Sequence, residues 1–182
     1  MALRQSSQVG LDLPSREVLS AGAHEVRENW LDVLPPKADV LRGYQREVLA
    51  RAAAALRHHR RVLVQGPTGS GKTHQISAVV LAAVTAGLRV LILATRTRLV
   101  RQMHERLDTF DIAHGVMAAS LPGLTNWSKP VQVASVDTLY RRCIADAKMP
   151  LPSADVVIFD EAHLALGASR QAILNKIGRA HV

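Results

Sequence analysis

Two short segments of this chain could do chemistry together: the octapeptide Gly66-Pro67-Thr68-Gly69-Ser70-Gly71-Lys72-Thr73 and, far downstream, Asp160-Glu161-Ala162-His163. The octapeptide fits the pattern G-x-x-x-x-G-K-[ST]. Small residues there let successive backbone N–H groups close around phosphate oxygens, the lysine reaches the outer phosphates, and the threonine hydroxyl can ligate Mg2+. The second segment follows the apolar run Val156-Val157-Ile158-Phe159, so its carboxylates should emerge at the carboxyl edge of a strand, where ligands of parallel α/β sheets bind. Asp160 is the candidate for holding the metal, and Glu161 for positioning or deprotonating an attacking water. Alone, a glycine-rich octamer would be a surface turn and an acidic pair a helix cap. As a pair they read as a site for a nucleoside triphosphate and Mg2+.

Such a site needs a strand before the loop and a helix after it. The spacing predicts both: Arg61-Val62-Leu63-Val64-Gln65 as a short apolar strand, and 72–86 as a helix whose N-terminal dipole adds to the anion site. From Leu41 onward the pattern alternates. Helices are expected over 44–57, 97–108, 137–146 and from about Ser169. Strands are expected over 89–94, near Val116, over 131–134 and over 155–159. Strands separated by helices imply an α/β fold in which a parallel sheet is sandwiched by helices. Residues 1–38 differ: they are polar, carry Pro14, Pro35 and Pro36, and suggest an N-terminal arm with one helix over 15–31 capped by Ser15. The apolar stretch 76–94 is read as a buried helix, a turn at Gly87 and a buried strand, not as a membrane span.

At 182 residues, the chain has room for one domain of ordinary size plus the arm. Lysine and arginine total 23 against 15 acidic residues, a net charge of +8 that favours a polyanionic partner. Cys143 is the single cysteine, which excludes an intrachain disulfide and favours a reducing, cytoplasmic setting. Residues 1–10 contain no apolar secretory core. The last six residues, Ile177-Gly178-Arg179-Ala180-His181-Val182, match one reading frame of a common sequencing-library adapter. They are expected to be a non-native tail, leaving 39–176 as the nucleotide-binding domain.

Many enzymes share the phosphate loop, and the surrounding residues discriminate among them. The nearest match to a guanine-reading N-K-x-D segment, Asn175-Lys176-Ile177-Gly178, lacks the aspartate. The nearest match to a transporter L-S-G-G-Q segment, Leu19-Ser20-Ala21-Gly22, lies before the loop instead of after it. What remains resembles the first, RecA-like motor domain of superfamily 2 helicases, of the DEAD/DEAH-box and type III restriction-subunit kind. The resemblance spans about residues 40–176. Leu41-Arg42-Gly43-Tyr44-Gln45 is similar to the family's adenine-reading element, in which Gln45 would contact the base edge with support from Arg42 or Tyr44. The octapeptide is the family's first motif nearly verbatim, and Asp160 to His163 is the box that names it. Ala94-Thr95-Arg96 and the segment up to Gln102, and Val133-Ala134-Ser135-Val136-Asp137-Thr138-Leu139, are similar to motifs that touch a nucleic-acid backbone. His163 would couple nucleotide state to a partner domain.

The resemblance implies ATP with Mg2+, the phosphate loop from Gly66 to Thr73 as the nucleotide cradle, and a nucleic acid as partner, DNA in preference to RNA. Aromatic residues are only 3% of the chain, which disfavours base stacking and favours backbone tracking by Thr95, Arg96, Ser135 and Thr138. It also implies an ATP-dependent helicase or translocase whose second motor domain and arginine fingers lie outside these 182 residues, so that the chain alone should hydrolyse ATP very slowly. Two other readings stay open: a non-catalytic, nucleotide-gated binding module, and a packaging-type ATPase.

Overall fold

The computed structural model describes residues 30–32, 34–35, 41–161 and 167–177. In chain order the main elements are helices α1 (Gly43–Leu56) and α2 (Lys72–Thr85), strand β1 (Val90–Ala94), helix α3 (Thr97–Thr109) and strand β2 (His114–Met117). Strand β3 (Val131–Ser135), helix α4 (Val136–Tyr140), strand β4 (Val156–Phe159) and helix α5 (Ala168–Ile177) follow. α4 runs on into a π-helical stretch over Arg141–Ala145, so the single helix expected over 137–146 changes its hydrogen-bonding pattern midway.

Among the described residues the sheet has the order β2-β3-β1-β4, and every pairing is parallel. Alternation of side chains along β1 builds two cores. Val90, Ile92 and Ala94 face one way and pack with Val80 and Ala83 of α2 and Val100, Met103 and Leu107 of α3. Leu91 and Leu93 face the other way, against Val136 and Leu139 of α4 and Ile173 and Ile177 of α5. β1 is buried on both faces, which explains its uninterrupted apolar sequence. Asp155 fixes the start of the β1–β4 pair by accepting the Arg89 N–H at 2.8 Å. The 76–94 stretch behaves as its sequence predicts: helix, turn at Gly87 with φ +73°, and strand. No helix of the described residues is long and apolar enough to cross a membrane.

The structure corrects one element. The strand expected over 61–65 does not form: the segment joins no ladder, Leu63 is 75% exposed, and among the described residues nothing pairs with the outer edge of β4. An apolar pentapeptide is a strand only when neighbours satisfy its N–H and C=O groups, and here Val62 alone packs inward, against Ala52, Ala53 and Ala82, while Arg61, Leu63, Val64 and Gln65 are exposed. The helix expected over 15–31 lies mostly outside the described residues, and its last two positions form a turn with Asp32. Leu31 nevertheless packs against Ala52, Ala53 and Ala82, and Asp32 accepts a hydrogen bond from Arg57 at 2.5 Å, so this turn is sealed onto α1 and α2. Ile177, assigned to the tail by sequence, is buried at the end of α5, while 178–182 lie outside the described residues.

Candidate nucleotide-binding site

The phosphate loop closes through its glycines. Gly69 and Gly71 adopt φ of +81° and +71°, values that an L side chain resists, and Gly71 is the N-cap from which α2 departs. A Cβ at Gly66 would lie 2.9 Å from Ser70 Oγ, and one at Gly71 would overlap Gln45 Nε2. Lys72 folds across the loop, its Nζ donating to the carbonyls of Gly66 at 2.9 Å and Pro67 at 3.1 Å. Ser70 Oγ is buried with no hydrogen-bond partner among the described residues, a polar atom held inside the cradle.

The loop is tied from outside by α1. Tyr44 Oη donates to the Ser70 carbonyl at 2.9 Å, and Gln45 Nε2 donates to the same oxygen at 3.0 Å. Gln45 Oε1 accepts the Arg42 N–H at 2.8 Å. At 4% exposure this amide joins the start of α1 to the last turn of the loop. Arg42 itself is exposed.

Asp160 continues the β1–β4 ladder, its N–H donating to the Leu93 carbonyl at 3.0 Å. Its Oδ1 accepts the Glu161 N–H at 3.0 Å. Glu161 has φ +59°, a left-handed conformation that costs a non-glycine residue about 1–2 kcal/mol. Burial raises the Asp160 pKa; the Glu161 charge raises it further, while the Glu161 N–H and the Lys72 ammonium oppose the shift. Lys72, Thr73, Asp160 and Glu161 line one cleft with Leu99, Gln102 and Met103 of α3. Loop lysine and strand-end acid, far apart in sequence, therefore share a wall. The cleft has a volume of about 130 Å³.

The donor set fits Mg2+ and a triphosphate: hard oxygens from Thr73 and Asp160 beside a loop of N–H groups, an ammonium, and the buried Ser70 hydroxyl. Leu99, Gln102 and Met103 were not singled out for this cleft by sequence, although Gln102 closed the segment assigned to nucleic acid. Their signal is the i, i+3, i+4 face of the helix that leaves β1.

The residues expected to meet nucleic acid share the same sheet edge, since Ala94 pairs with Ser135 and Leu93 with Phe159. Arg96 is exposed just beyond β1. Thr95 Oγ1 is buried without a partner among the described residues, Ser135 is 7% exposed, and Thr138 Oγ1 accepts the Ala119 N–H at 3.3 Å. Of the four, Arg96 alone stands open to a backbone; the three hydroxyl residues are turned into the protein or engaged by it. His163 lies outside the described residues.

No curated protein matches the chain. The family described as "Type III restriction enzyme, res subunit" matches residues 39–182, most of the length. The matched region holds the phosphate loop, the acidic strand end and the parallel sheet that brings them together. The chain thus belongs to the type III restriction enzyme res subunit family, one of ATP-dependent, helicase-like motor domains of superfamily 2 with a RecA-like fold.

Proposed function

We propose that this chain is the ATP-binding motor module of a helicase or translocase that moves on nucleic acid, DNA in preference to RNA. The observation that carries this reading is the common cleft of Lys72, Thr73, Asp160 and Glu161. Loop N–H groups and Lys72 would hold the β- and γ-phosphates, and Thr73 and Asp160 would hold Mg2+. Bound there, the metal supplies charge neutralisation on the phosphoryl oxygens. Glu161 orients water and takes its proton as the oxygen attacks. Arg42 and Tyr44, exposed beside the loop, are the proposed neighbours of the adenine. Gln45, whose amide already joins α1 to the loop, contributes by positioning. Arg96 is the proposed first contact with a phosphate backbone, with Ser135, Thr138 and Thr95 behind it, and His163 the proposed relay to a partner domain.

The test is a pair of variants with different expected failures. Lys72→Ala should weaken binding of a fluorescent ATP analogue at least tenfold. In a protein that also carries the second motor domain, Glu161→Gln should keep that binding and lose polynucleotide-stimulated turnover, because an amide cannot accept the proton from water. Undiminished binding in the lysine variant would refute the site. Binding without turnover in a parent that carries the second motor domain, on DNA and RNA alike, would favour the nucleotide-gated binding module.

A further inference from the structure

On the far half of α3, away from the nucleotide cleft, His104 and Asp108 stand one turn apart on a single face of the helix, and His114 opens β2 opposite them. The turn between the two elements, with Asp111 at φ +56°, brings the second imidazole back onto the first. We propose that His104, Asp108 and His114 form a binding site for a divalent transition metal of the zinc class.

The His114 ring is fixed in the tautomer a ligand needs. Its Nδ1 lies 2.7 Å from the Ile112 carbonyl, which can only accept, so Nδ1 carries the hydrogen and Nε2 keeps its lone pair. A backbone carbonyl holding the far ring nitrogen is the usual support of a metal-bound histidine. The lone pair points at His104 Nδ1, 2.7 Å away. Asp108 oxygens lie 3.6 Å from His104 Nδ1 and 3.9 Å from His114 Nε2, and one ligand atom from each residue falls within 4.8 Å of the others. Tetrahedral zinc, with bonds of about 2.0–2.1 Å, wants its ligand atoms roughly 3.3 Å apart. The nitrogens must part by about half an ångström, and because the two carboxylate distances belong to different oxygens, a single Asp108 oxygen must move by more than that to reach both. The graded exposure permits this: the His114 side chain is 3% exposed, His104 22%, and Asp108 61%. One imidazole anchored by the backbone thus meets a second imidazole and a movable carboxylate, and water would complete the coordination.

Two nitrogens and one oxygen select zinc-class ions over Mg2+ or Ca2+, which want oxygen throughout. The ion would pin the end of α3 to the start of β2. The same helix lines the nucleotide cleft through Leu99, Gln102 and Met103, so its anchorage bears on that wall.

The test titrates Zn2+ into the nucleotide-free 182-residue chain against a chromophoric chelator, with Co2+ as a spectroscopic probe. One equivalent should bind, with visible bands of a four-coordinate Co2+ site. His104→Gln and Asp108→Asn should each weaken binding at least tenfold. Both residues are partly open, so these variants should fold even where His114→Gln does not. Replacing the exposed pair His58 and His59 by alanine should leave binding intact. Absence of stoichiometric binding, binding that survives both His104→Gln and Asp108→Asn, or binding lost with His58 and His59 would overturn the proposal and leave a hydrogen-bonded histidine pair.

Discussion

Asp160 is held where its ionised form is disfavoured, and this has a thermodynamic consequence. Its folded-state pKa is raised above the ordinary value of 3.8, chiefly by burial. Between those two values the folded chain binds the proton more tightly than the unfolded chain, so stability falls as pH climbs through the window, and the deficit persists at neutral pH. Asp160→Asn keeps an oxygen for the Glu161 N–H and removes the charge. Its urea midpoint should exceed the parent's at pH 7.5, and the advantage should shrink as pH falls toward 4. Equal midpoints at pH 7.5 would show that the carboxylate is well solvated after all. Residue types and spacing alone make Asp160 and Lys72 legible as partners in one site. Side-chain orientation is not legible in that way: nothing in the sequence says that the Thr95 hydroxyl is buried or that Gln45 spends its amide on the loop, because those facts depend on partners many positions away.

At the scale of elements, the phosphate loop is a turn whose shape is enforced from two sides, by its own backbone and by α1. Gly71 and Gly87 separate these contributions. Both have positive φ, +71° and +73°, but a Cβ at Gly87 meets nothing within 4 Å whereas one at Gly71 runs into Gln45 Nε2. Gly87→Ala should cost about 1–2 kcal/mol from backbone strain and leave nucleotide affinity unchanged. Gly71→Ala carries the same strain and must also displace the amide. A buried partner group left unsatisfied adds about 1–3 kcal/mol, and binding of an ATP analogue should fall with it. Denaturation and binding measured on both variants check this, and equal losses would mean that the Gln45 contact does not shape the loop. Most elements were readable from apolar periodicity, including the short strand at Val116. The π-helical continuation after Tyr140 was not, since a change of hydrogen-bonding register leaves the apolar spacing nearly intact.

For the whole molecule, alternation of strands and helices announced a parallel sheet between helical layers, and the two cores on opposite faces of β1 realise it. Strand order is a different kind of information, because each pairing is a long-range choice made by edges and not by local composition. The segment 61–65 illustrates the limit. Its composition is that of a strand, yet Leu63 and Val64 are 75% and 41% exposed, and among the described residues β4 keeps a free edge. An exposed apolar run and an open sheet edge in one chain are each an invitation to intermolecular pairing. Leu63→Lys should therefore reduce self-association at high concentration and leave the unfolding free energy from urea denaturation within about 0.5 kcal/mol of the parent, as for other surface changes. A loss above roughly 2 kcal/mol is the signature of a leucine taken out of a packed interior. It would mean that 62–64 pairs with the β4 edge in solution and completes the sheet beside the phosphate loop.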